Sequence, residues 1–503
     1  MTKNIKYYII INSDVHSIGG KPNNMKRSSG VLMHVSSLWG DYSIGSFGKE
    51  AFEFIDFLNE SGFSFWQVLP FCMTDDCNSP YKSFSAFGAN PYFIDLPTLY
   101  MKGLLTKNEL DGARQSSPYL CEYDRLSRER LPLLLRASKR VGNADREKII
   151  SFCNASKALS DVCLFLALKE ANSYLPWQEW TIEKYDPDIY FMWQFIQYEF
   201  FTQWKNIKDY ANSKGISLIG DIPIYVALDS CDVWANKDQF LLDSNGRPTA
   251  VSGCPPDYFS EDGQLWGNPL YDWKKMKQDG YAWWQSRLTH MFSMFDAVRI
   301  DHFRGLESFW SIPANAKTAK EGKWVKGPGR SFIDMLKRTA DGRTVIAEDL
   351  GDITPAVTSL LKYSGFPGMR VFQFGFLGDK NSPHIPHNYI KNCVAYTGTH
   401  DNNTLLGFIW ESSEQNRKNA LTYCGYDGDD WNRGCELVMR SMFSSCADTV
   451  IFPIQDIFIY GADTRMNTPG TAANNWGYRI TAKQLSNIDK NKYRYFNELY
   501  ARI

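Results

Sequence analysis

Acidic side chains at the ends of short apolar runs mark the places where this chain could do chemistry. The run Val298-Arg299-Ile300-Asp301-His302 ends in a carboxylate flanked by two side chains that can carry positive charge. If the run is a strand, alternation puts Arg299 and Asp301 on one face, where a guanidinium holds a carboxylate ionised and oriented. Glu348 closes the run Val345-Ile346-Ala347, and Asp401 follows Val394-Ala395-Tyr396-Thr397-Gly398-Thr399-His400. Retaining glycosidic-bond chemistry needs a carboxylate nucleophile and a protonated carboxylic acid about 5 Å apart across an anomeric carbon. Asp301 suits the first role, with Arg299 expected to lower its pKa. Glu348 suits the second, because its apolar approach would raise its pKa toward neutrality. Asp401, beside His400, is placed to hydrogen-bond ring hydroxyls as positive charge develops on the sugar. Any one such acid is as well suited to capping a helix after a turn. Three at strand ends with basic neighbours favour chemistry.

Eight short apolar runs read as parallel strands: residues 30–36, 63–69, 216–222, 297–301, 344–348, 369–374, 393–396 and 449–454. Polar or Gly/Pro-rich turns follow most of them, and helical patterns such as 49–60 separate several. This alternation predicts an α/β fold, a (β/α)₈ TIM barrel, whose reactive groups gather at the C-terminal ends of its strands. Asp301, Glu348 and Asp401 fall there. About 145 residues separate the second and third runs, more than one crossover needs, so residues 72–215 carry an insertion. Apolar spacing makes it helical over 131–140, 155–171 and 190–213. A second insertion spans about 228–281. The expected organisation is a disordered extension over 1–24 and one catalytic barrel with these large helical insertions over 25–503.

Of the 503 residues, 55 are Lys or Arg and 56 Asp or Glu, so the formal charge of -1 gives no drive toward nucleic acid or an anionic membrane. A neutral partner fits better. The aromatic fraction of 15% is high, and flat rings are what the C–H faces of a sugar pack against, although most such rings belong to the core. The 11 cysteines are irregularly spaced without a C-x-x-C pair, which favours thiols in a reducing compartment. No apolar run reaches the roughly 18 residues that span a bilayer, and the short stretch at 5–11 lacks a cleavage site. A cytoplasmic protein is expected. His384 and His387 sit three apart in a Pro-containing segment with no third ligand nearby, which suits a surface loop better than a metal site. No G-x-x-x-x-G-K-[ST] phosphate loop occurs. The chemistry itself requires no metal or nucleotide cofactor, since a protein carboxylate forms the covalent intermediate.

Several runs carry a family likeness. They are Ser29 to Leu38, Ser79 to Phe87, Gly220-Asp221-Ile222-Pro223-Ile224-Tyr225-Val226, Pro255 to Ser260, Trp266-Gly267-Asn268-Pro269 and Arg465-Met466-Asn467-Thr468-Pro469-Gly470. In this order, from about Lys26 to Arg479, the chain resembles the amylomaltases, the 4-α-glucanotransferases (disproportionating enzymes) of glycoside hydrolase family 77 in the α-amylase superfamily. The resemblance implies a barrel without a separate C-terminal β-domain. It also implies the same three roles for Asp301, Glu348 and Asp401. Tyr81, Asp221, Asp257, Tyr258, Phe259, Trp266, Arg299, His302, His400 and Asn475 match positions lining the glucan groove of such enzymes. Residues 39–43 depart from the usual Pro/Gly-rich first loop, and Cys254 replaces an aliphatic residue, but none of the three acids is altered.

The expected reaction moves a segment of an α-1,4-glucan donor to the 4-hydroxyl of glucose or another maltooligosaccharide acceptor. Residues 253–269, stiffened by Pro255-Pro256 and carrying Tyr258, Phe259 and Trp266, are the candidate cover that keeps water away. The same acids would serve a hydrolytic α-amylase or α-glucosidase, and a glucan-binding protein without activity is the remaining alternative. The oligomeric state is not legible.

Overall fold

A computed structural model describes residues 26–74, 77–256, 261–471 and 473–503. The expected extension over 1–24, and Asp257, Tyr258 and Phe259 of the candidate groove, lie outside the described residues. In chain order the strands are β1 (Ser28–Leu32), β2 (Phe65–Gln67), β3 (Ser217–Ile222), β4 (Ala250–Cys254), β5 (Gln264–Pro269) and β6 (Ala297–Ile300). After these come β7 (Ser308–Pro313), β8 (Lys323–Lys326), β9 (Thr344–Ala347), β10 (Gly368–Val371), β11 (Cys393–Tyr396) and β12 (Thr449–Pro453). Eight of them close a parallel barrel in the order β1-β12-β11-β10-β9-β6-β3-β2, with β2 returning to β1. Each of these lies within one of the predicted apolar runs or overlaps it, which is what burial on both faces selects.

The interior is filled by inward side chains, among them Leu32, Ile219, Ile346, Met369, Val394, Tyr396 and Ile451, so the barrel is a packed core with its chemistry at the rim. Tyr396 donates its hydroxyl to Gln67 Oε1 at 2.9 Å, satisfying a buried polar pair inside the barrel. At Gly30 the β1–β2 approach is so close that a Cβ would lie 2.6 Å from the Cβ of Phe65. Glycine is therefore required where the barrel closes.

The first insertion is helical, as its spacing predicted. Its helices Tyr123–Ser138, Asn143–Asn154 and Lys157–Ala171 pack on the long crossover helix Pro187–Ser213. Asp186 caps that crossover by accepting from the Asp188 amide at 2.8 Å, with Pro187 at the first helical position. It buries Phe191, Trp193, Phe195, Phe200 and Trp204 and leads directly into β3. Among the described residues no single helix is long and apolar enough to cross a membrane.

The second insertion differs from the helical pattern expected of it. It contributes β4 and β5, which join β7 and β8 in an antiparallel sheet of order β5-β4-β7-β8. Two of those strands precede barrel strand β6 and two follow it, so the sheet is assembled from both connections around the Asp301 strand. At Gly253 a Cβ would stand 2.1 Å from the Gln264 carbonyl oxygen, so the β4–β5 pair tolerates no side chain there. After β12 the described chain is helical, with Ala482–Ser486 and Lys490–Leu499 and no further strand.

Candidate active site

Arg299 sits at the centre of the barrel rim. On β6 its side chain and that of Asp301 share a face, and Nη2 donates to Asp301 Oδ1 at 2.7 Å. Nη1 reaches the carboxylate of Asp221, from the end of neighbouring β3, at 2.7 and 2.6 Å. Asp221 also accepts from the Tyr81 hydroxyl at 2.6 Å. The Asp221 carboxylate is fully buried behind Arg299, whereas the Asp301 side chain keeps 30% of its surface accessible. Only the second faces a space that a substrate can enter.

The downward pull expected of Arg299 acts on Asp301, but it does not set the net direction. Asp301 is raised above the ordinary aspartate value, by burial first and then by the negative charges of Asp221 and Asp401, against the opposing pull of Arg299. The guanidinium is shared with Asp221, so its field at Asp301 is partly cancelled. Its own charge is secure: burial works against it, but Asp221 and Asp301 more than offset that, and its pKa lies well above normal.

Glu348 follows β9 directly and is 9% exposed. Oε2 accepts the His302 amide at 2.6 Å and Oε1 the Leu350 amide at 2.9 Å. Burial and the nearby Asp301 charge push its pKa up to about 8, outweighing Arg299 and the two amides. His302 takes a left-handed backbone conformation with φ of 53°, uncommon for a non-glycine residue. That conformation aims its amide at Glu348, so local strain is spent on orienting the acid.

Asp401 lies on the loop after β11. Oδ2 stands 3.3 Å from His400 Nε2, and Oδ1 accepts from Asn467 Nδ2 at 2.6 Å. Burial alone would raise its pKa, but His400, Asn467 and Arg299 together hold it down to about 2. The rings of Tyr81 and His400 stack 5.0 Å apart at 13°, and Trp476 lies 5.9 Å from each. A solvent-open pocket lies beside this loop, lined by His34, His400, Asn402, Asn403, Arg465 and Met466 among others.

The antiparallel sheet supplies the opposite wall. Trp266 on β5 meets the His302 ring edge-on at 4.9 Å and donates to Gln264 Oε1 at 3.0 Å. His302 is held neutral, its pKa lowered to about 4 by burial and then by Arg304. Asn475 bonds within its own loop, accepting from the Thr468 amide at 2.9 Å and donating to the Thr471 carbonyl at 2.9 Å. Of the expected residues, Tyr81, Asp221, Arg299, Asp301, His302, Glu348, His400, Asp401 and Trp266 thus form one connected cluster. His384 and His387 lie apart from it: His384 Nδ1 accepts from the Val371 amide at 3.1 Å, and His387 contacts the Tyr423 hydroxyl.

Two members of the cluster were not assigned from sequence. Asn467 holds Asp401 from the side, and Arg465 donates to the Asp401 carbonyl at 2.5 Å. Both lie in the run Arg465 to Gly470, whose polar pair between turn residues was the available signal. The amide donors to Glu348 leave no trace in side-chain identity.

The chain as a whole is similar to known proteins. A family model described as 4-alpha-glucanotransferase matches residues 33–485. A 4-alpha-glucanotransferase of Clostridium butyricum is 43% identical over 490 residues, covering 93% of this chain and 100% of that protein. One of Synechocystis is 42% identical over 501 residues, covering 95% and 98%. Among solved structures, the amylomaltase from Streptococcus agalactiae in complex with acarbose superposes with a TM-score of 0.91 at 36% identity, covering 95% of this chain and 100% of that one. The amylomaltase from Corynebacterium glutamicum, 18% identical, shares the fold with a TM-score of 0.77, covering 95% and 74%.

Proposed function

The chain belongs to the 4-alpha-glucanotransferase family, and from that premise we propose the residue roles by which it carries out the family's reaction. It is a 4-alpha-glucanotransferase acting on α-1,4-glucans and maltooligosaccharides. Asp301 is the nucleophile, Glu348 the acid/base and Asp401 the stabiliser of the oxocarbenium-like state.

With its pKa at about 8, Glu348 carries a proton at neutral pH and gives it to the glycosidic oxygen as that bond breaks. The Asp301 carboxylate, oriented by Arg299, attacks the anomeric carbon from the other side and forms a glycosyl ester. Glu348, now a carboxylate, takes the proton from the 4-hydroxyl of the acceptor. That oxygen attacks the anomeric carbon, Asp301 leaves, and configuration is retained after two inversions. Asp401, ionised throughout, accepts from ring hydroxyls and stabilises the developing positive charge. The observation that carries this assignment is the contrast between two neighbouring acids: Glu348 buried and proton-bearing, Asp301 partly accessible and tied to a guanidinium.

Transfer prevails over hydrolysis when an acceptor is held against the ester. A bound hydroxyl at near-attack distance gains an effective concentration of up to ~10⁵ M or more. Trp266, packed over His302 beside the nucleophile, supports a water-excluding and acceptor-positioning role for the segment 253–269. A neutral glucan as donor and glucose or a maltooligosaccharide as acceptor suit a chain with no net positive charge, and we place the enzyme in the cytoplasm on its cysteine usage.

Incubation with pure maltotriose tests the reading. The expected products are glucose and a ladder of longer oligosaccharides with few new reducing ends. A rise in reducing ends would make the chain a hydrolase. Asp301→Asn should abolish the ladder. Glu348→Gln should slow it about 10²- to 10⁴-fold, with a smaller loss on donors bearing a good leaving group; equal losses on good and poor leaving groups would refute the acid role.

A further inference from the structure

We propose that Trp410 and Trp431 form a second glucan-binding platform on the outer ring of the barrel, which holds the remote part of a long α-1,4-glucan while its reacting end lies among the three acids. The inference rests on the transferase reading and concerns polymer substrates alone.

Trp410 projects from the helix Leu405–Glu411 and is 69% exposed. An indole left in water keeps an apolar face on which a ligand gains by burial. The ring is held in place. Trp431 meets it edge-on at 5.0 Å and 78°, and the Arg417 guanidinium lies 5.0 Å from the centre of the Trp431 ring. Arg417 is in turn tied to the carbonyls of Ile409 at 3.4 Å and Ser412 at 3.3 Å, on either side of Trp410. A platform fixed in this way loses little side-chain freedom when a ligand arrives.

The chemistry around the rings selects the ligand. Asp427 and Asp429 are exposed in the loop that leads into Trp431, while Asp430 is occupied in capping the following helix through the Asn432 and Arg433 amides. A flat apolar ring pair reached from a loop that carries exposed carboxylate acceptors suits a pyranose, whose C–H face is apolar and whose rim is made of hydroxyl donors. Polyanions are disfavoured by the same carboxylates. Position completes the argument. Asp401 lies three residues before Thr404, which caps this helix, and at 1.5 Å per residue Trp410 stands only about 8 Å along the axis from Leu405. One short rigid element therefore connects the stabilising acid to the platform, within reach of a single polymer chain.

The test compares Trp410→Ala and Trp410→Phe with the wild-type enzyme, by retention on insoluble amylose and by initial rates on amylose and on maltotriose. Trp410→Ala is expected to lower retention and kcat/KM on amylose roughly three- to tenfold, with maltotriose turnover unchanged and Trp410→Phe restoring part of the loss. Unchanged retention and amylose kinetics would overturn the proposal. So would an equal loss on maltotriose, or a change in oligomeric state on substitution, which would mark the rings as a protein contact. Failure of the transferase reading is separately visible, as a wild-type enzyme that makes no ladder from maltotriose.

Discussion

At Glu348 burial and the charge of Asp301 act in the same direction, and the pH dependence of turnover follows from that. The active form carries the proton, so kcat/KM is full below the Glu348 pKa and falls as pH rises through about 8. Because the two acids interact, this basic limb belongs to the pair. On the acid side the rate falls as Asp301 takes up a proton, at a pH above that of an ordinary aspartate, whereas Asp401 at about 2 sets neither limb. Maltotriose kinetics from about pH 4 to about pH 10 should show the bell, and Glu348→Gln should remove its basic limb. Linkage gives stability the same sign: the folded state holds a Glu348 proton that the unfolded chain releases, so stability contributed by this group is present at acid pH and lost as pH climbs toward 8. The three acids were legible because each ends an apolar run. The net direction at Asp301 was not, since it is set first by burial in the closed barrel and then by Asp221, which divides the Arg299 charge from a strand 80 residues earlier.

Among the elements, the antiparallel sheet β5-β4-β7-β8 is what the sequence concealed. Its strands are short and form two local pairs, β4 with β5 and β7 with β8, but the β4–β7 pairing that joins them spans β6 and has no local pattern to announce it. The barrel strands were readable because burial on both faces leaves near-continuous apolar runs. The sheet nevertheless carries Trp266 to His302, and its edge is secured by Arg304, whose guanidinium lies 3.8 Å from the centre of the Trp324 ring on β8. Arg304 also donates to the Asp352 carbonyl at 2.6 Å, in the loop that leaves Glu348. The sheet and the acid/base loop are thereby clamped together. Trp266→Ala should raise the ratio of glucose released by hydrolysis to glucan transferred, by roughly threefold or more, as the acceptor loses its wall and water gains access. Product analysis with maltotriose checks this, and an unchanged ratio would remove the water-excluding role.

For the molecule as a whole, the barrel floor is tied by Arg502, a side chain with no exposed surface. It donates to the carbonyls of Phe443 at 2.7 Å, Ser28 at 2.9 Å, and Ala447 and Ser445 at 3.2 Å. Arg27 also donates to the Phe443, Ser445 and Ala447 carbonyls, so Arg502→Ala removes bonds and packing without orphaning all of these acceptors, and it should cost about 1–3 kcal/mol in urea denaturation while the remote rim keeps its maltotriose activity. The eight-strand plan was visible in the sequence; this latch was not, because its acceptors are backbone carbonyls supplied by a helix end and a strand start far away in the chain. The seam it guards joins β1 to β12, where Ser28 and Thr449 are bonded across 421 residues. On a ribosome adding about 5–20 residues per second, β1 must wait roughly 20–80 s for the neighbour that completes it. Throughout that interval its open flank is available to other nascent chains, so the yield of this enzyme in a cell should be governed by translation speed and holding chaperones more than by the stability of the finished fold.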